Sequence, residues 1–457
     1  RSVSRYLSAA VISLLPALVG CEEDSAFAGP GGGLGSAECF TSDEGTHNLL
    51  GAPLLFSPTS HGFGVSAILR DGDLETLHLR LRPTASSPWT DVGPPTVRAS
   101  DLAEWTVDGL EAGTRYEYQV TDCSQTGGKI LYANRAITQR PPGQSFTFAL
   151  VSDTHIGSDL AFDNQGDETV LSAISGDIAA APTDFVVNLG DILDYHQYGF
   201  LAPPPTAEIA RQSYVNYRNA LGDLAGSTFH YPVIGGWDSE NGCDTADVID
   251  RSRSQRLLYW PSPGPATYPE GGSAFEDYYA FTWGDALFIV LNVFSYTPTC
   301  HSLGAGPGLA DDWTLGQAQL DWFRQTLANA RSKWKVVLIH HPVGGNAGDD
   351  INSAYGRGGG RAAHVGEQEM VHELMKQYGV QIFFYGHDHV FTDMLVDGIH
   401  YTLPGSAGAP WKFVMAETGY DTFWPDSGWG RVDVTPDEIH VQFIPMTGAP
   451  LFDYTVR

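Results

Sequence analysis

Four short stretches of the 457-residue sequence carry residue types able to hold a metal ion: Asp153-Thr154-His155, Gly190-Asp191, His340-His341-Pro342 and Gly386-His387-Asp388-His389. Carboxylate oxygens and imidazole nitrogens suit borderline ions such as iron, zinc or manganese. In the first and last stretch the donors stand two residues apart. In extended chain that spacing turns both to one side, so a carboxylate and an imidazole, or two imidazoles, can close on one ion. Gly190 permits a tight turn that leaves Asp191 free to bridge two ions. A single match of this kind carries little weight, because surface loops and satisfied core histidines produce it often. Four in order, each directly after an apolar run, form a pattern.

The runs that must position them are residues 146–151, 185–189, 231–234, 286–293, 334–339 and 380–385. Continuous apolar stretches of this length suit strands buried on both faces. Between them, Leu320, Phe323 and Leu327 recur at helical spacing behind a capping box of Thr314 and Gln317. A second helix over 367–378 presents Val371, Leu374 and Tyr378 and stops at Gly379. Further strands fall near 398–403, 430–434 and 439–444. The expectation is a layered α/β sandwich over 145–457, with its polar clusters gathered where strand ends meet a common rim.

In order, the series reads Asp153-Thr154-His155, Gly190-Asp191, Gly235-Gly236-Trp237-Asp238, Val337-Leu338-Ile339-His340 and Gly386-His387-Asp388-His389. It resembles the motif series of the calcineurin-like metallophosphoesterases, D-x-H, G-D, G-N-H-[D/E], V-x-x-H and G-H-x-H. The β-rich stretch ahead of it is similar to the arrangement of the purple acid phosphatase branch. The resemblance implies an αββα sandwich and two metal ions, one held by Asp153, His155, Asp191 and His389, the other by Asp191, His340 and His387. It further implies that metal-activated water hydrolyses a phosphate ester while the ions neutralise charge on the phosphoryl oxygens.

One motif departs from the family. Gly236 stands where the family has an Asn that binds the second ion, and Trp237 stands where it has a His that contacts phosphate or protonates the leaving group. Trp237 cannot titrate, although its indole N–H can donate to a phosphoryl oxygen. Asp238 and Asn241 are candidates to replace the lost ligand. His341, His196 and His301 are candidates to carry the proton, His341 being the best placed. Arg357 and Arg361 are candidates to clamp phosphate. Restoring Asn and His at 236 and 237 is expected to raise occupancy of the second site. The resemblance also places a ferric-iron-binding Tyr three residues after Asp191, where this sequence has Asp194, with Tyr195 one place later.

Ahead of the site-bearing region, short alternating runs over 45–140, separated by Gly, Pro and Asp turns, predict a small all-β sandwich. Within it, Leu110 through Tyr118 resembles the turn and tyrosine-rich strand of fibronectin type III modules, in which a Tyr hydroxyl bonds back to the chain. Residues 1–21 have the charge and apolar length of a signal peptide ending in Leu18-Val19-Gly20-Cys21, which resembles a bacterial lipobox. An acidic, Gly-rich stretch over 22–44 then reads as a tether. The expectation is export, with the membrane touched only through lipid on Cys21. Four further cysteines in an oxidising compartment suit two disulfides. Of the three pairings, Cys39 with Cys123 and Cys243 with Cys300 each close within one expected domain.

The formal charge of −29 argues against nucleic acid as a partner, and the resemblance implies a small-molecule phosphate ester as substrate. Two other readings stay open at this level. One is a metal-binding surface protein of feeble turnover, given Gly236 and Trp237. The other is an adhesion module in which the first sandwich does the work.

Overall fold

The structure, a computed structural model, describes residues 49–70, 73–124, 128–158, 166–194, 206–297, 314–343, 367–412 and 422–457. The signal peptide, lipobox and tether, Cys39, Cys300, Tyr195, His196, His301, Arg357 and Arg361 lie outside those residues.

Among the described residues eight strands come first: β1 (Leu54–Phe56), β2 (Phe63–Ile68), β3 (Leu77–Arg82), β4 (Thr90–Gly93), β5 (Thr96–Ala99), β6 (Leu102–Val107), β7 (Arg115–Asp122) and β8 (Lys129–Ile137). Alternation drives them together, because Leu77, Leu79 and Leu81 of β3 and Tyr116, Tyr118 and Val120 of β7 all turn into one core with Val65, Ala67 and Trp105. Strands β4-β3-β7-β8 make one sheet. The hydroxyl of Tyr116 accepts the N–H of Glu111 at 3.0 Å, the back-bond expected of that segment. The second sheet of the sandwich runs on past the linker: β1 pairs in parallel with a strand of the site-bearing region, Leu55 opposite Phe229.

That region contains β9 (Phe146–Val151), α1 (Glu168–Ala180), β10 (Phe185–Asn188), α2 (Ala207–Leu221), α3 (Asp223–Ser227), β11 (Phe229–Pro232), α4 (Ala246–Tyr259), β12 (Tyr279–Trp283) and β13 (Ala286–Val290). There follow α5 (Gly316–Asn329), β14 (Trp334–Leu338), α6 (Gln368–Tyr378), β15 (Ile382–Phe384), β16 (Phe391–Val396), β17 (Ile399–Pro404), β18 (Thr422–Trp424), β19 (Gly428–Val434), β20 (Ile439–Pro445) and β21 (Phe452–Val456). One sheet is ten-stranded, in the order β21-β20-β19-β9-β10-β11-β1-β2-β6-β5, and the other seven-stranded, β12-β13-β14-β15-β17-β16-β18.

Side-chain alternation sorts each strand between two layers. Phe148, Phe185, Phe288 and Phe384 meet between the sheets, with Phe148 stacked on Phe185 at 5.0 Å and edge-on to Phe288 at 5.2 Å, geometries that add to the area they bury. On the outer face of the first sheet Ala149, Val151 and Val186 pack on Leu171, Ile174 and Tyr214 of α1 and α2. On the outer face of the second, Ile289, Val337 and Phe383 pack on Leu320, Phe323, Val371 and Leu374 of α5 and α6. The result is the expected αββα layering.

The expected capping box is corrected. Thr314 accepts the N–H of Gly316 at 3.0 Å, but the reciprocal partner is Glu367, whose carboxylate takes the Leu315 N–H and the Thr314 hydroxyl, both at 2.8 Å. A charged acceptor arriving from the start of α6 displaces the neutral Gln317. Strands β9, β10 and β11 are mutually parallel, as are β13, β14 and β15. Their carboxyl ends therefore open on one rim, and every metal-ligand motif follows one of them.

Candidate metal centre

At that rim the side chains form two buried groups, Asp153 with His155 and His389, and Asp191 with His340 and His387; within each, ligand atoms lie within 4.8 Å of one another. Asp191 joins them. Its Oδ2 stands 3.1 Å from His340 Nε2 and 3.6 Å from His155 Nε2, while its Oδ1 accepts the N–H of Trp237 at 2.8 Å. His389 Nε2 lies 3.3 Å from Asp153 Oδ1.

The backbone that presents these groups is not extended. Asp153, His155, Asp191, His387 and His389 all have positive φ, between 49° and 79°, a region that non-glycine residues rarely adopt and that collects at functional sites. The two-residue spacing holds, but tight turns after β9 and β15 bring the donors together. Hydrogen bonds fix the turns: Asp153 and His155 donate their N–H groups to the carbonyls of Gly190 and Asp191, and both oxygens of Asp153 accept the N–H of His387 at 3.0 Å. Gly190, at φ 98°, is required twice, since a Cβ there would stand 2.7 Å from the His340 ring.

Two of the rings are turned by their other nitrogen. His340 Nδ1 bonds the Leu189 carbonyl at 2.7 Å and His389 Nδ1 the Trp411 carbonyl at 2.9 Å, leaving both Nε2 atoms for the site. Neither nitrogen of the fully buried His155 has a hydrogen-bond partner. Orphaned buried imidazole nitrogens facing carboxylates are what a cation would satisfy, so the residues fit the metal that the motifs imply.

Charge agrees. Burial opposes ionisation of Asp153 and Asp191, yet the neighbouring histidines outweigh it, His389 first for Asp153 and His340 first for Asp191, and hold both below the usual carboxylate range. Burial pushes His155 down to about 4 against the pull of Asp191. At His340 burial acts the same way but Asp191 and Asp153 overcome it and raise the ring to about 9. Binding a cation there displaces that proton.

A third group, His372, Glu373 and Asp397, also lies within ligand distance. The ammonium of Lys376 reaches Glu373 at 2.8 Å and Asp397 at 3.1 Å, so a side-chain cation already balances these acids.

The remaining sequence candidates fall around the centre rather than in it. Asp238 is buried with both oxygens engaged: Oδ1 accepts the N–H groups of Ile192 and Leu193, each at 3.1 Å, and Oδ2 that of Gly235 at 2.8 Å. Its carboxylate ties the loop after β10 to the loop after β11. Burial, then the charge of Asp191, raises it to about 7. Asn241 donates to the Gly236 carbonyl. His341 bonds the Pro342 carbonyl through Nδ1 and packs on the His387 ring at 4.6 Å. Trp237 sets its ring edge-on to His155 at 5.3 Å.

Two neighbours escaped the sequence reading. Trp411 lies 4.9 Å from both His155 and His389, and Phe294 lies 5.6 Å from His340. The signal for Trp411 is visible in hindsight: the Gly- and Ala-rich stretch before it directly follows β17 and ends on the same rim.

A calcineurin-like phosphoesterase family model matches residues 146–391, more than half of the chain. Among solved structures, one described as the structure of PhoD is 14% identical, covers 90% of each chain and has a TM-score of 0.65. GAP50, described as the anchor in the inner membrane complex of Plasmodium, is also 14% identical, over 68% of this chain and 88% of that one, with a TM-score of 0.43. A putative 5'-nucleotidase from Staphylococcus aureus is 15% identical over 68% of this chain and 56% of its own, with a TM-score of 0.37. No curated protein matches. The chain belongs to the calcineurin-like phosphoesterase family and is a metal-dependent phosphoric ester hydrolase.

Proposed function

We propose that the enzyme acts outside the cytoplasm, tethered by lipid on Cys21, and hydrolyses small phosphate mono- or diesters with two borderline ions, iron, zinc or manganese. The observation that carries the metal reading is the single Asp191 oxygen facing a histidine of each cluster. One ion would be held by Asp153, His155, Asp191 and His389, the second by Asp191, His340 and His387. The ions supply Lewis acidity toward the phosphoryl oxygens and an activated water.

The chain's own residues set the rest. Trp237 N–H orients Asp191, and the carbonyls of Leu189 and Trp411 orient His340 and His389. Trp237 and Trp411, 6.4 Å apart, put indole rings beside the centre where a titrating side chain would protonate a leaving group. Substrates whose leaving group departs as a stable anion therefore suit this rim.

Metal analysis of purified protein, alongside turnover of nitrophenyl phosphate and bis-nitrophenyl phosphate with each ion, tests the reading; two equivalents of metal with no turnover of either ester would refute it. Membrane partitioning lost in Cys21→Ser tests the anchor. The first sandwich is proposed to be a fibronectin type III-like module. Disulfides joining Cys39 with Cys123 and Cys243 with Cys300 belong to the same proposal and can be read from non-reduced peptide masses.

A further inference from the structure

Residues 405–412, the loop after β17, are laced to the turn that carries Asp153 and His155. Ala407 and Ala409 donate to the carbonyls of Ser152 and Asp153 at 2.8 and 2.9 Å, and a Cβ on Gly408 would stand 2.1 Å from the Thr154 carbonyl oxygen. At the end of the loop the Trp411 carbonyl receives His389 Nδ1 and so aims Nε2 at Asp153. The next residue folds back across the loop. Lys412 Nζ donates to Ser406 Oγ at 2.5 Å, the Ala409 carbonyl at 2.9 Å and Ser427 Oγ at 3.0 Å.

All three ammonium protons thus go to neutral oxygens that mark the loop's start, its middle and the strand edge beside it. Burial pushes the ammonium down to about 8, with Asp153 and Asp426 opposing. Placing a charge there is unfavourable unless its hydrogen bonds are complete, and these are. The Asp191 cluster has separate supports, the Leu189 carbonyl and the Trp237 N–H.

We propose that Lys412 is a positioning residue for one half of the metal centre: by pinning 406–412 it holds the Trp411 carbonyl, and through it His389, in the geometry that lets Asp153, His155 and His389 close on one ion. This rests on the two-cluster reading of the site.

Zinc is the probe, titrated into the full-length metal-free protein against a chromogenic chelator so that two equivalents are resolved, with His389→Ala identifying the equivalent that belongs to this half. Lys412→Met is expected to weaken that equivalent by about tenfold to a hundredfold, the usual size for losing a support behind a ligand, and to leave the other unchanged. Ser427→Ala, which removes one of three acceptors, should weaken the same equivalent by less and decides the matter if Lys412→Met does not fold. Unchanged affinity in both variants, or equal losses from both equivalents, would overturn the inference. A parent protein that binds no zinc overturns the two-cluster reading and this inference with it; a parent that binds two equivalents beside unchanged variants overturns this inference alone.

Discussion

A Cβ on Gly236 would stand 2.9 Å from Cε1 of Phe294. The space that Gly236 leaves is therefore filled by a ring, and the expectation that an Asn there simply restores a ligand to the second ion is revised. Gly236→Asn alone should destabilise the fold by about 1–3 kcal/mol, the usual range for overpacking, without tightening the second metal equivalent. Gly236→Asn with Phe294→Ala should tighten it, on the order of tenfold. Urea unfolding and zinc titration of the two variants separate the effects; tighter binding in the single variant would show that Phe294 yields freely.

Asp238 is a candidate for chemistry, and its three backbone donors also make it a brace between two loops. Asp238→Asn sets an amide N–H against at least one of those donors and should lower stability by about 3 kcal/mol, read as a fall in Tm of the metal-free protein. A variant with parental Tm and lost turnover would show that Asp238 acts in the chemistry and not as a brace.

His230 gives a pH prediction remote from the metal centre. It is fully buried on β11, its Nε2 facing the Leu224 carbonyl at 3.3 Å and its ring 5.3 Å from Trp260. Burial depresses it to about 4, with the Leu224 carbonyl opposing, whereas an unfolded His titrates near ~6.5. Between those values the unfolded chain binds more protons, so the stability present above pH ~6.5 is lost as pH falls toward 4. From pH 7 to 5 the parent should lose about 2 kcal/mol relative to His230→Phe, measured as the difference in urea unfolding. Parallel losses in the two proteins would contradict the assignment.

Colour supplies another check. The position three residues after Asp191 is Asp194, which is buried and donates its N–H to the Ile156 carbonyl. Iron-loaded protein should lack a phenolate charge-transfer band. A visible band abolished by Tyr195→Phe would show that the following residue supplies a ligand.

Strand positions were legible in the sequence because their apolar runs are continuous, and the ligands because each follows such a run. The run at 231–234 shows the limit: the strand is Phe229–Pro232, since Val233 onward leaves the sheet to build the loop around Trp237. Helix α4 left no apolar stripe to read, because its buried face includes Ser252 and Arg256, the latter paired with the buried Glu240 at 2.5 Å. A charged stripe of that kind is invisible to hydrophobic periodicity. The joining of β1 to β11 depends on residues far apart in sequence, Leu55 and Phe229, and no local pattern encodes it. The left-handed turns at the ligands were equally hidden, since Asp and His, although enriched at positive φ among non-glycine residues, still adopt it only rarely.

The central claim is that Asp191 is shared by two ions. Metal content per chain, determined after zinc loading and exhaustive dialysis, tests it most directly in Asp191→Ala against the parent, with His78→Ala on β3 as the remote control. His78 pairs with Asp91 at 3.1 Å, well away from the strand ends that bear ligands. The account predicts two equivalents in the parent and in His78→Ala, and loss of both with nearly all turnover in Asp191→Ala. Equal metal content in Asp191→Ala and the parent would contradict it.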